Sequence, residues 1–457
     1  MSDPTENGKN VEEKNGGNED VPTNSSAIVP DTHAELIKKI QELQLAMSGN
    51  RDFSEAKHHN YAFWGTQPVP KLEENVTENT YIEAPIPLDK IRKEPYTLPT
   101  GFSWCNVDLL NDDELTELYK LLSDNYVEDD ESLFRFDYSK EFFKWALLPP
   151  GWKSEWHCGV RASKTNKLLA FIAAVPCKIK VRDAEIDMVE INFLCVHKNL
   201  RSKRLTPVLV KEITRRVNLT GIFQAAYTAG VILPKPITTS RYWHRSLNPK
   251  KLIECRFSCL GRNMTMQRTI KYYKLRNEPV HKVIRLEKRH LKGAYQLLTN
   301  YLSKFLLHPV FSKKEFDHYF LPRDQVIYSY VIEKDNVVTD FISFYSLPST
   351  VVNNSQHKKI VAAYSFYNVA TSVSLTELMG DALICAHQDG FDVFNALDLM
   401  DNKVFLSDLK FGIGDGNLQY YLYNWKSPEM SPEESCAIML IDIIWRFSFP
   451  ETMYFAT

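Results

Sequence analysis

The chain has 457 residues and 44% hydrophobic composition, enough for a large core built as two or three domains or one double domain. A formal net charge of −2 excludes a globally basic, nucleic-acid-coating protein, so any basic cluster must be a local device and no DNA partner is expected. No apolar run approaches the roughly 20 residues of a membrane span. The eight cysteines, Cys105, Cys158, Cys177, Cys195, Cys255, Cys259, Cys385 and Cys436, show neither CxxC pairs nor zinc spacing. With a polar N-terminus lacking a signal peptide, they read as free thiols in a reducing cytoplasm, with no metal site.

In chain order, residues 1–31 are too polar to offset ordering entropy and read as disordered. Asp31 can cap a helix over His33–Met47, either a partner-binding arm or a helix packed on its own domain. Tyr61–Pro70 (YAFWGTQPVP) reads as a rigid strap, and residues 71–100 as an extended connection. Helices are expected over Glu114–Asn125 and Glu141–Leu148. Between them, Tyr126–Tyr138 (YVEDDESLFRFDY) joins an acidic run to Phe134, Phe136 and Tyr138, whose alternation puts them on one face of an extended segment. That segment is either a solvated acidic loop or a cradle for a cationic peptide end. Strand-like runs follow at His157–Arg161, Leu168–Val175, Met188–Val196 and Phe223–Tyr227.

Glu190–Asn218 combines three pieces. Ile191–Val196 suits a buried strand, His197–Arg204 is a basic loop, and Thr206-Pro207 reads as N-cap and first residue of a helix. Strand, basic loop and helix N-terminus form an arrangement suited to phosphates, such as those of coenzyme A. A solvated basic turn, or a nucleic-acid or localisation patch, fits the local pattern as well.

The second half repeats the first. Phe171–Pro176 resembles Phe341–Pro348, and each is followed by an apolar strand, a loop and a helix, over Pro207–Val217 in one half and Leu375–Ala386 in the other. The second loop, Ala370–Ser374, carries no cation, which leaves that copy free for another ligand. Phe391–Met400 and Tyr420–Trp425 read as strands, and Lys410–Gln419 as a Gly-rich loop without the Lys-Ser/Thr of a P-loop.

These motifs taken together, FWGTQPVP at 63–70, NYVEDD at 125–130, EINFLCVHK at 190–198, LRSKR at 200–204, RYWHRSLNP at 241–249 and KFGIGDGNLQYYLYNW at 410–425, resemble the eukaryotic glycylpeptide N-tetradecanoyltransferases, or N-myristoyltransferases, most closely the animal enzymes. The resemblance implies an α/β fold with a mixed sheet, in which two pseudo-symmetric GCN5-related acetyltransferase units form one compact double domain. The expected divisions are a tail at 1–55, a myristoyl-CoA unit at 56–265, a peptide unit at 266–440 and an extension at 441–457.

It further implies transfer of myristate from myristoyl-CoA to an N-terminal glycine amine, by direct attack and without a prosthetic group. The backbone N–H groups of Phe193 and Leu194 match an oxyanion hole, and Thr228 a threonine beside the attacking amine. Ala62, Phe63 and Trp64 match the strap over the acyl-CoA. Cys195 and Val196 count among the acyl-CoA-binding positions, Cys195 beside the oxyanion positions being a buried strand cysteine rather than a covalent nucleophile, and Arg201, Ser202, Lys203, Arg204, Leu205 and Thr206 match the CoA phosphate loop. The peptide groove maps onto Val127, Asp129, Phe134, Phe136, Tyr138, Asn192, Tyr242, His244 and Phe257 in the first unit. In the second it maps onto Tyr345, Ser349, Tyr364, Asn395, Asp415 and Leu418. The partners implied are N-terminal-Gly peptides and nascent proteins, met by a monomer, with the arm at 32–48 leaving ribosome or membrane association open.

In the family the base is a C-terminal carboxylate at the position of Leu440. Here the sequence continues for 17 residues, Ile441–Thr457. The expectation is that the active protein ends near Leu440. The alternatives are a tail that presents Thr457 or Asp442 as base, or a weakly catalytic acyl-CoA or acylated-peptide binding protein.

Overall fold

The computed structural model describes residues 53–126, 133–203, 205–352 and 354–436, with only the backbone of Ser202 and Lys203. The expected 33–47 helix, Val127, Asp129, Arg204, Leu440 and the 441–457 extension lie outside the described residues. The first half supplies strands β1 (Phe102–Asn106), β2 (Phe134–Phe136), β3 (His157–Ala162), β4 (Leu168–Val181), β5 (Ala184–Val196), β6 (Ala225–Ala229) and β7 (Thr238–Ser246). The second supplies β8 (Val283–Arg285), β9 (Leu307–Pro309), β10 (Ile327–Lys334), β11 (Val337–Ser346), β12 (Ser349–Val351), β13 (Lys359–Ile360), β14 (Ala362–Ser365), β15 (Val393–Leu397) and β16 (Gly412–Tyr423).

The repeat read from the sequence is present in three dimensions. In each half an antiparallel strand pair, β4–β5 in the first and β11–β14 in the second, ends in a strand that feeds a helix, which returns as a strand parallel to the one it left. The Leu205–Asn218 helix buries Leu205, Leu209, Ile213 and Val217, a 3.6-residue stripe, against Ala170, Ile172 and Ala174 of β4. The Leu375–Gln388 helix buries Leu378, Met379, Ala382 and Ala386 against Ile342 and Phe344 of β11. Ile172 and Ile342, which follow Phe171 and Phe341 in the two copies, therefore play the same packing part.

The sheet runs β1-β3-β4-β5-β6-β16-β7-β15-β14-β11-β10-β8, with β9 added beside β4. Each half is completed by a strand of the other. β16 closes the first copy against β6, β7 closes the second against β15, and the two pair with each other. Tyr242 and His244, assigned from the sequence to the first unit, thereby stand beside Asn395 and Leu397 of the second. A small sheet β13-β12-β2 also joins the halves.

Three local expectations are corrected. The Leu205–Asn218 helix starts before Thr206, so Thr206 and Pro207 lie in its first turn, and Pro is tolerated there because first-turn amides have no intrahelical acceptor. The basic loop is a 3₁₀ helix over Lys198–Lys203. The Gly-rich stretch from Gly412 is strand, not loop, because β7 pairs with Gly412, Ile413 and Asn417–Tyr420, and β6 takes up the pairing from Gln419.

Candidate active site

The parallel pair β5–β6 meets only at Val189↔Ala225 and Glu190↔Ala226. Beyond Glu190 no further pairs join the two strands, and at that point β5 bulges. Phe171 pairs with Cys195 and Ala173 with Asn192, so Phe193 and Leu194 together face one β4 residue. Phe193 takes φ +55, a left-handed conformation that costs a non-glycine residue about 1–2 kcal/mol. Its ring holds that conformation in place. It is fully buried and meets Phe143 at 5.2 Å, Tyr138 at 5.4 Å and Tyr126 at 6.0 Å. The bulge thus takes the Phe193–Leu194 main chain out of register with the β4 ladder, beside the opening between β5 and β6.

The basic turn follows directly. The buried Asn125, last residue of the Asp112–Asn125 helix, accepts from the Lys198 amide at 3.0 Å through its side chain and from the Arg201 guanidinium at 2.6 Å through its carbonyl. Asn125, which the sequence reading did not single out, thus anchors the turn. The His197 imidazole is held below its usual value by burial first and then by the charges of Lys167, Arg201 and Lys198, against Asp124.

The corresponding loop of the second copy is not vacant. The buried Asp340 carboxylate accepts from the amides of Thr371 at 2.8 Å and Ser372 at 2.9 Å, and from the Ser372 hydroxyl. A built-in carboxylate thus already occupies amides of the loop that corresponds to the basic turn. This accords with a second copy whose loop is not built for phosphates.

The strap is fastened across the exchanged strands. Tyr61 donates to the Ile232 carbonyl at 2.9 Å, the Asn424 amide to Pro68 at 2.9 Å, and Tyr423 to Gln67 at 3.0 Å. Trp64 stacks on Tyr227 at 5.4 Å, which stacks on Tyr421 at 4.9 Å. Ala62 and Phe63 precede the 3₁₀ turn Trp64–Thr66.

The described peptide-groove candidates come together around this centre. Phe136 pairs with Ser349 in the small sheet. Phe134 meets Phe257 edge-on at 5.8 Å, and Phe257 meets His244 at 5.8 Å. His244 Nδ1 bonds to Asn395 Oδ1 at 2.7 Å, and burial pushes the imidazole below its ordinary value while Asn395 opposes the shift. Tyr345 and Tyr364 are paired and stacked at 5.3 Å. Thr228 is fully buried opposite Tyr420, and Asn192 and Leu418 are buried on neighbouring strands. Between Ile413 and Asn417 the β16 register shifts, so that Gly414, Asp415 and Gly416 together oppose Tyr242, and Arg241 pins the bend by donating to the Gly414 carbonyl at 2.6 Å.

Gly414 is required there by contact, because a Cβ would lie 2.5 Å from His244 Nε2. Gly414→Ala is expected to displace the imidazole, costing about 1–3 kcal/mol and raising the peptide KM with little change in acyl-CoA affinity. Peptide and acyl-CoA titrations of the variant check this. Cys195 is buried in β5 opposite Phe171, as an ordinary strand cysteine would be, and none of the eight cysteines forms a disulfide.

Two family models match the chain: myristoyl-CoA:protein N-myristoyltransferase, N-terminal domain, over residues 81–240, and its C-terminal domain over residues 254–442. The chain is 55% identical over 416 residues to glycylpeptide N-tetradecanoyltransferase 2 of Bos taurus, spanning 90% of this chain and 83% of that one. It is 58% identical over 409 residues to the Danio rerio protein of the same name, spanning 87% and 82%. Saccharomyces cerevisiae N-myristoyltransferase, solved with bound myristoyl-CoA, superposes with a TM-score of 0.79 at 44% identity, covering 81% of this chain and 94% of the yeast chain. The chain belongs to the N-myristoyltransferase family.

Proposed function

We propose that this protein transfers myristate from myristoyl-CoA to the N-terminal glycine amine of peptides and nascent proteins. The observation that carries the reading is the β5 bulge at Phe193–Leu194, set beside the β5–β6 opening and followed at once by the basic turn. Arg201, Ser202, Lys203, Arg204 and the amides of Leu205 and Thr206 hold the CoA phosphates. The acyl chain adds about a dozen buried methylenes at roughly 0.8 kcal/mol each. The Phe193 and Leu194 amides stabilise the oxyanion as the glycine nitrogen forms its bond to the carbonyl carbon, and the C–S bond then breaks to release CoA. The peptide lies along Phe134, Phe136, Tyr138, Asn192, Tyr242, His244 and Phe257, and against Tyr345, Ser349, Tyr364, Asn395, Asp415 and Leu418.

An α-amine has a pKa near 8 and is mostly protonated at neutral pH, so a base must take a proton. We assign this to a carboxylate at Leu440, with Thr228 beside the amine. Cys436 is fully buried in the same core as Tyr420, the residue opposite Thr228. A chain ended at Leu440 is therefore expected to give a faster single-turnover transfer of labelled myristate than the chain carrying residues 441–457, with equal affinity for myristoyl-CoA. Equal rates for the two would remove the Leu440 assignment. Acyl-CoA binding without transfer by either chain would favour the binding-protein reading. We place the protein in the cytoplasm as a monomer. No helix among the described residues is long and apolar enough to cross a membrane.

A further inference from the structure

Tyr227 lies one residue before Thr228, on the opposite face of β6. It is 5% exposed, and its ring is held between Trp64 of the strap and Tyr421 of β16. Its hydroxyl is buried and makes no hydrogen bond, although the neighbouring Tyr421 hydroxyl is bonded to Val231 and Leu233. Gln419 stands opposite Ala229, which places it on the same face as Tyr227 and diagonal to it. Gln419 is 2% exposed, and its side-chain oxygen also lacks a partner. Ile191 of β5 packs against the cluster containing Tyr227, so the cluster bridges the opening between β5 and β6.

Buried polar atoms are costly when left unpaired, and two on one face under a strap point to a ligand that supplies their partners. A hydroxyl donor beside an amide-oxygen acceptor is the complement of a secondary amide. The pantetheine arm of an acyl-CoA carries secondary amides, whereas its hydrocarbon chain carries none. We propose that Tyr227 donates to an amide carbonyl of the pantetheine arm, and that Gln419 accepts from an amide N–H of the same arm. This rests on the acyl-CoA reading above. The Trp64–Tyr227–Tyr421 stack then couples strap closure to recognition of the arm.

The test is Tyr227→Phe, which keeps the ring stack and removes only the oxygen. The variant is expected to bind myristoyl-CoA about tenfold more weakly by calorimetry. Its melting temperature without ligand should equal or exceed that of the wild type, since an unpaired hydroxyl has been removed. In steady state the KM for myristoyl-CoA should rise while kcat stays within about twofold. Gln419→Leu should weaken binding in the same direction. A structural role for the hydroxyl predicts the reverse pattern: a lower melting temperature without ligand and unchanged affinity. Either of those results for Tyr227→Phe overturns the proposal. A wild-type chain that binds no myristoyl-CoA would instead remove the function reading, and this assignment with it.

Discussion

Phe193→Ala is expected to lower the free energy of unfolding by about 3–5 kcal/mol and to slow transfer by about 10²–10³-fold. The two losses have one cause. In the proposed reaction Phe193 would donate to the oxyanion through its main chain, while its side chain fixes where that main chain points. The ring is enclosed by Tyr126, Tyr138 and Phe143, and the residue holds φ +55 in a bulge. Removing the ring empties the socket and lets the bulge relax into the β4 ladder. Myristoyl-CoA affinity should fall far less than the rate, because the residues proposed for the phosphates lie on the following turn and helix. Denaturant unfolding and single-turnover transfer measure the two effects separately. A variant as stable and as fast as the wild type would show that the ring does not position the amides.

Glu212→Gln is expected to cost about 3 kcal/mol or more, the scale for breaking a buried ion pair. Glu212 is fully buried on the helix that follows the basic turn. It accepts from Arg215 at 2.6 Å and 3.0 Å, from Arg216 at 2.9 Å and from the Tyr96 amide at 3.0 Å. Arg215 reaches on to the Lys93 carbonyl, and Arg216 to Asn106 and the Glu155 carbonyl. The carboxylate and its two arginines therefore tie this helix to Lys93 and Tyr96 of the preceding connection and to Asn106 of β1. Burial raises its pKa, but the bonds from Arg215, Arg216 and Tyr96 outweigh burial and hold it below the ordinary 4.5. Its contribution is present above that value and is lost as pH falls through the depressed folded value. Wild type should accordingly lose stability on acidification below about pH 4.5, and Glu212→Gln should lack that part of the loss. Identical acid profiles for the two chains would contradict this.

The order of elements and the duplication were legible in the sequence because they rest on local periodicity. Phe171-Ile172 and Phe341-Ile342 announce equivalent strands, and the alternation of Phe134, Phe136 and Tyr138 announces one buried face. The strand exchange was not legible. It depends on pairing such as that of Ser240 with Leu418, 178 positions away, for which neither local pattern holds a signal. The same distance hid β16. Its glycines read as a loop, because the reason for Gly414 is a histidine on another strand. The Asp340 carboxylate and the Asn125 anchor were likewise hidden, since each acts on backbone amides brought near only by folding. The candidate site residues came from long motifs, and several of those described lie on the neighbouring strands β5, β6, β16, β7 and β15.

The central claim is direct transfer to a glycine amine, and mass spectrometry of a single-turnover reaction tests it most directly. Labelled myristoyl-CoA would be mixed with the Leu440-ended chain and a peptide beginning with Gly, with an Ala-start peptide as control. The account predicts one myristoyl amide on the α-nitrogen of the Gly peptide, none on the Ala peptide, and no acyl adduct on the protein. Label accumulating on Cys195, or equal labelling of both peptides, would contradict it.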